Sequence, residues 1–193
     1  MSLGPNLVAN GAMGGGSAPS TLPFGWFFFT TNIGTVTHTL AYGTETGIPY
    51  VDIILTGTPG AGGSWQVVCG STFSAGTLPV IPSGLYRFSA NVKLQAGTWA
   101  NVTPTLDIQE KDNSSTIRTD QLYVGQRTTD TLDVNAYAGS FRMAPTCVKM
   151  FGIFDLAFAA ASAVSITVRF GAPEFRLDDG LQSGGAPRMM AWY

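Results

Sequence analysis

The sequence has little charge. Only 11% of its 193 residues are Asp, Glu, Lys or Arg, whereas an average soluble domain has about 25%. The formal net charge of −2 gives no basic footprint for phosphates, so we expect no nucleic-acid partner. No apolar run is long enough to span a bilayer, and the N-terminus lacks a signal peptide. We therefore expect no membrane partner, and a chain that is used inside the producing cell or released other than by secretion.

Cysteine, histidine and glutamate are also scarce. Two cysteines, Cys69 and Cys147, are too few for a disulfide framework, so buried free thiols are favoured over a pair. The one histidine, His38, lies on an apolar strand face, which favours a packed core or interface side chain over a catalytic base. No nucleophile motif is present. We predict that the chain is not an enzyme, although the sequence alone does not exclude a pair of glycosidase carboxylates.

The pattern that dominates the chain is strict alternation of apolar and polar residues. It runs through LYRFSANVKL at 85–94, TVTHTLAY at 35–42 and AVSITVRF at 163–170, and it is typical of half-buried antiparallel strands. The alanine-rich run FDLAFAAASA keeps period two in its first half, which predicts a strand that runs into a loop. Further strands are predicted at WFFFTT, YVDIILT, SWQVVC, VTPTLDIQE, IRTDQLYV, TLDVNAYAGSFRM and VKMFGIFDLAF.

Turn-forming sequences such as TGTPGAGGS and EKDNSS separate these segments. Eight to ten short strands without a convincing helix bury their apolar faces by packing two sheets together. We therefore predict an all-β fold, an antiparallel β-sandwich in one domain over residues 1–180. Residues 181–193 are predicted to form a flexible, apolar C-terminal arm.

Three segments carry a resemblance to a known family. NLVANG at 6–11 followed by PFGW at 23–26, SGLYRFSANVKL at 83–94, and SITVRFGAPEFRLDDG at 165–180 resemble, in this order, the jelly-roll carbohydrate-binding modules, a β-sandwich family that also occurs in virion proteins of tailed bacteriophages. The residues Phe175, Arg176 and Leu177 depart from the sequence that typically ends the closing strand in the phage members.

The resemblance implies a jelly roll whose first and last strands lie close together. Leu7 and Val8 would enter the core as an edge strand, and Trp26 would fix the return of the glycine-rich loop. Family members often hold a structural calcium near this junction, for which Asn10 or Glu174 could supply oxygen ligands here. Because the sequence has no clustered acidic loop, we predict no cofactor and keep a structural calcium as the alternative.

A glycan site needs flat aromatic faces for stacking, together with amides or carboxylates that bond hydroxyl groups. For the aromatic candidates, burial in the core or in a subunit interface is favoured over a glycan site. Trp26 and the run Phe27–Phe29 are predicted to build the core. The candidate glycan-binding residues are Trp65, Trp99, Asn101, Asp107 and Tyr123, with Gln109 as a further polar partner.

The C-terminal arm follows the last predicted strand and a Gly-Gly pair. It ends in four large apolar side chains that need a groove on the same subunit or on a neighbour, and we favour the neighbour. The first half of the chain carries only two charges before Arg87, which indicates either a subunit contact or a polar uncharged surface. The predicted assembly residues of the arm are Met189, Met190, Trp192 and Tyr193.

Together these observations favour a non-enzymatic virion structural protein, a decoration or cement protein on the capsid of a tailed bacteriophage. It would assemble in the host cytoplasm, lie on the virion surface, and contact the major capsid protein and sister copies as a trimer. The alternatives are a tail-associated adhesin that binds a host surface polysaccharide, and a glycan-binding module or lyase from a larger secreted enzyme. A fold that begins close to Met1 leaves no separate anchoring segment, which favours decoration.

Overall fold

A computed structural model describes residues 8, 14–23, 25–69, 78–112, 115–124, 132, 136–159 and 162–178. Over these ranges the chain forms eleven strands and no helix, so none of the described segments is a helix that could cross a membrane. The strands are β1 Trp26–Thr31, β2 Thr37–Glu45, β3 Ile48–Gly57, β4 Ser64–Cys69, β5 Leu78–Pro79, β6 Leu85–Gly97, β7 Val102–Lys111, β8 Thr116–Val124, β9 Ala136–Arg142, β10 Lys149–Phe158 and β11 Val164–Leu177.

Ten of these strands form two five-stranded antiparallel sheets. Sheet one has the order β1-β4-β10-β7-β8, and the two-residue strand β5 pairs with the start of β10. Sheet two has the order β2-β3-β11-β6-β9. Buried side chains of both sheets form one cluster, so the two sheets enclose one core between them. The predicted all-β sandwich with eight to ten strands is confirmed.

The core consists of the side chains that alternate onto the inner faces of the two sheets. Phe154 of β10 stacks on Phe170 of β11 with ring centroids 4.8 Å apart, and Trp26 meets Phe170 edge-on at 5.8 Å. Tyr86 and Phe175 stack at 4.9 Å within sheet two. Each such buried side chain contributes about 1.5–3 kcal/mol through removal of apolar area from water.

Several predictions about individual residues can be compared with this core. Trp26 is buried in it, as predicted, and Cys69 and Cys147 are buried free thiols. Strand β10 ends at Phe158, which confirms a strand that runs into a loop. Val8 is buried but lies in a bend rather than in a strand. The predictions for Leu7, Asn10 and the C-terminal arm concern residues outside the described ranges.

The outer face of sheet two is occupied by a charged network. Arg169 of β11 donates to both carboxylate oxygens of Asp52 at 2.8 Å, bonds Glu45, and lies 3.6 Å above the ring centroid of Tyr50. Lys93 donates to Glu45 at 2.8 Å. Glu45 and Asp52 are the only charged residues before Arg87, so both charges of this segment are engaged within the fold.

Gly152 sets the distance between the two sheets at one point of the core. A Cβ at this position would lie 2.6 Å from the Phe88 ring of the opposite sheet, and Phe88 is fully buried. We therefore expect Gly152→Ala to lower the free energy of unfolding by about 1–3 kcal/mol through overpacking, as measured by urea denaturation. In a protein that already carries Phe88→Leu, Gly152→Ala should lower the free energy of unfolding by less, since the smaller side chain makes room for the methyl group. Additive losses in the double variant would contradict this contact.

Candidate functional site

A groove of about 380 Å³ lies on the outer face of sheet one. It spans the four neighbouring strands β1, β4, β10 and β7. Because successive side chains of a strand point to opposite faces, alternate residues of these strands line the groove while those between them enter the core. The lining residues are Phe27, Phe29, Gln66, Val68, Gln109, Lys111, Phe151 and Ile153.

The strand register places aromatic side chains beside amide side chains in this groove. Phe29 pairs with Gln66 across β1 and β4, and Phe151 pairs with Gln109 across β10 and β7. Phe27 meets Phe151 edge-on with centroids 6.4 Å apart. Phe29 is 55% exposed, so its ring offers free apolar area to a ligand.

The prediction that Phe27–Phe29 belong to the core therefore needs correction. In β1 the inner face receives Trp26 and Phe28, and the outer face receives Phe27 and Phe29, because the strand keeps period two. Four consecutive aromatic residues in a strand cannot all be buried on one side. The run itself was thus the signal for an aromatic surface.

Phe28 belongs to a different cluster, where the edge strands β1 and β2 of the two sheets approach each other. Its ring centroid lies 4.5 Å from that of His38 and 6.1 Å from that of Trp65. His38 is packed among these rings, as predicted, and partial burial lowers its pKa. Phe28 itself remains 41% exposed.

The predicted glycan-binding residues are not brought together. Trp65 and Trp99 are 1% and 4% exposed, so both tryptophans belong to the core and have no free face for a sugar. Asn101 donates its amide to the carbonyl of Ala163 at 3.1 Å and ties two loops together. The side chain of Tyr123 lies outside the described part of the structure. Only Asp107, with its neighbour Gln109, lies on the face that contains the groove.

Asp107 forms a carboxyl pair with Asp155 beside the groove. Asp107 pairs with Ile153 across β7 and β10, and Asp155 follows two residues later on β10, so the two are diagonal neighbours about 7 Å apart. Thr105 donates to Oδ2 of Asp107 at 2.9 Å, but Oδ1 of each aspartate lacks a hydrogen-bond partner among the described residues. The sequence singled out Asp107 but not Asp155.

Burial raises the pKa values of both aspartates. The pKa of Asp107 rises to about 6, chiefly because the side chain is only 6% exposed, and the charge of Asp155 raises it further against the hydrogen bond from Thr105. The pKa of Asp155 is raised by its burial, and hydrogen bonds from Gln66 and Ser64 oppose this shift. Like charges at this spacing disfavour ionisation of both groups together.

A metal site does not emerge from the described residues. They contain no group of three or more His, Cys, Asp or Glu side chains that could hold an ion. Glu174, the described candidate for a calcium ligand, accepts hydrogen bonds from Arg176 at both of its carboxylate oxygens. This carboxylate is therefore already paired with a guanidinium, and the calcium alternative stays a prediction because Asn10 lies outside the described residues.

The desolvated carboxylate of Asp107 is expected to cost stability when it is ionised. The folded-state pKa of about 6 exceeds the unfolded value near 3.9, so stability falls as the pH rises between these values. Asp107→Asn should therefore stabilise the protein by about 1 kcal/mol above pH 6, with a smaller gain at pH 4. Thermal unfolding of both proteins at pH 4, 6 and 8 measures this gain. A gain that does not depend on pH would contradict the assignment.

The comparisons with known proteins concern the fold. No protein-family model and no curated protein matches the sequence. Among solved structures, the enzymatically active domain of tailspike protein 4 from bacteriophage CBA120 has a TM-score of 0.54 at 14% identity, over 80% of this chain and 19% of that chain. The tandem family 22 carbohydrate-binding modules of Paenibacillus barcinonensis xylanase 10C give 0.53 at 16% identity, over 92% and 46%.

A third structure contains the first family 22 carbohydrate-binding module and the glycoside hydrolase family 10 module of Clostridium thermocellum xylanase 10B, complexed with xylohexaose. It gives a TM-score of 0.51 at 9% identity, over 84% of this chain and 28% of that chain. The chain thus spans less than half the length of each of these three structures. At such identities the likeness concerns the fold alone. The chain has the β-sandwich fold of carbohydrate-binding modules, as the sequence resemblance implied.

Proposed function

We propose that this protein binds a glycan in the groove on the outer face of sheet one. The observation that carries the proposal is the row of aromatic and amide side chains in that groove, in which Phe27, Phe29 and Phe151 lie beside Gln66 and Gln109. Binding without catalysis is the function that this set of groups supports best.

The chemistry of a sugar matches these groups. The apolar C–H faces of a pyranose ring pack on aromatic rings, and its hydroxyl groups exchange hydrogen bonds with side-chain amides. A groove of about 380 Å³ lies within the size range of small-ligand sites. The floor residue Phe151 projects from a strand that is paired on both sides, so little ordering of the backbone opposes binding.

The structural neighbours support the same proposal. One of them is a xylanase whose modules were solved with xylohexaose, and another is a set of carbohydrate-binding modules from the β-sandwich superfamily with a TM-score of 0.52 at 13% identity. The bacteriophage tailspike domain is compatible with a tail-associated adhesin, the alternative to capsid decoration. Capsid decoration, a trimer and a contact with the major capsid protein remain predictions that no comparison specifically supports.

Phe29→Ala tests the aromatic surface. Removing an exposed ring should leave the midpoint of thermal unfolding nearly unchanged, because little core contact is lost. We expect it to weaken glycan binding about tenfold, which corresponds to about 1.4 kcal/mol of lost stacking. The measurement is a glycan array followed by titration calorimetry with the best-bound oligosaccharide.

Phe28→Ala is the matched control, since it removes the same side chain from the next position of the same strand but on the opposite face. It should leave glycan affinity unchanged while it lowers stability through its lost contacts with His38 and Trp65. Equal affinities for the Phe29→Ala variant and the unaltered protein would place the site elsewhere. If the unaltered protein bound no member of a broad array, the proposed function would fail.

A further inference from the structure

The lysines of this chain are distributed unevenly. There are three in all, Lys93, Lys111 and Lys149. Lys93 pairs with Glu45 in the network on sheet two. The other two lie directly opposite each other across β7 and β10. By strand alternation both side chains belong to the outer face of sheet one, at the end of the groove where Phe151 lies.

The two lysines have no ion-pair partner among the described residues. Lys111 lines the groove, and its Nζ lies 5.3 Å from the ring centroid of Phe151. Lys149 precedes Phe151 by two residues on the same strand face. Like charges directly opposite each other on neighbouring strands are destabilising. Among the described residues, this pair of ammonium groups beside the groove is therefore not compensated by a carboxylate.

The charge of this face changes sign along the strands. Asp107 precedes Lys111 by four residues on β7, which corresponds to about 13 Å along the strand. The carboxyl pair Asp107–Asp155 thus lies toward one end and the lysine pair at the other, with the aromatic rings and amides along the groove. Since the described residues supply no counter-ion, the lysine pair favours a ligand that carries an anionic group.

We infer that the ligand of this groove is an acidic polysaccharide that carries carboxylate groups. One sugar carboxylate binds between the ammonium groups of Lys111 and Lys149, and the adjacent sugar ring packs on Phe151. Hydroxyl-bearing parts of the glycan extend toward Phe29 and Gln66. Asp107 and Asp155 disfavour a second anionic group at their end of the groove. The spacing of carboxylate-bearing sugars along the glycan therefore contributes to specificity. This inference rests on the proposed function and adds the class of its ligand.

The test uses matched pairs of glycans. An array carries oligosaccharides that contain uronic acids, the same oligosaccharides after chemical reduction of their carboxyl groups to alcohols, and unrelated neutral glycans. We expect binding to uronate members and at least fivefold weaker binding to their reduced forms, a factor consistent with about 1 kcal/mol for a partly exposed ion pair. Raising the salt from 0.1 M to 1 M should weaken only the uronate binding, because screening shortens the range of the interaction.

Variants assign the effect to the lysine pair. Lys111→Gln and Lys149→Gln should each weaken uronate binding about fivefold and leave binding of the reduced glycans unchanged, whereas Phe29→Ala should weaken both. Arg87→Gln, which removes a positive charge from the outer face of sheet two, is the control and should change neither. Equal binding of uronate and reduced forms, or binding of neutral glycans alone, would overturn this inference and leave the proposed function standing. Binding of no glycan would overturn both.

Discussion

Burial of the two inner sheet faces against each other is the constraint on which the rest of this structure depends. The contact of Gly152 with the Phe88 ring and the stacking of Phe154 on Phe170 fix how closely the sheets approach. Because these inner residues pack in the core, the residues between them face outward, and the two outer faces carry different side chains. Sheet two presents the network around Arg169, whereas sheet one presents a groove lined by aromatic rings, of which Phe29 is exposed. The outer face of sheet one is thus the face that contains the groove of the proposed function.

The scarcity of charge makes the position of each charge informative. Glu45 and Asp52 neutralise Arg169, and the fully buried Glu110 accepts a hydrogen bond from Arg118 at 2.6 Å and another from the backbone of Ala144 at 2.8 Å. These carboxylates hold strands and loops together and are satisfied within the fold. On the groove face, by contrast, the aspartates keep unpartnered oxygens and the lysines lack ion partners in the described ranges. Because the unpartnered aspartate oxygens are buried, the two lysines are the charges on this face that an acidic ligand would pair with.

The sandwich was predictable because period-two alternation is a local property that each strand displays by itself. LYRFSANVKL and AVSITVRF identify their inner faces without reference to any partner strand, and β6 and β11 follow them. The groove was not predictable in the same way, because the side chains that become neighbours on a sheet face depend on strand order. For Trp65 and Trp99 the sequence favoured burial over a glycan site, and both are buried in the core. Asp155 gains its meaning only from its place beside Asp107 across the β7–β10 ladder.

Strand β10 links the stability of the protein to the proposed recognition site. Its inner residues Met150, Phe154 and Leu156 are fully buried in the core, and its outer residues Phe151, Ile153 and Asp155 form or flank the groove floor. Because both sets share one backbone that is hydrogen-bonded to β4 and β7, a change in core packing that shifts β10 also shifts the groove floor. The groove therefore takes its shape from the core rather than from loops, and this rigidity suits a site that must present several rings and amides at fixed spacing to an extended ligand.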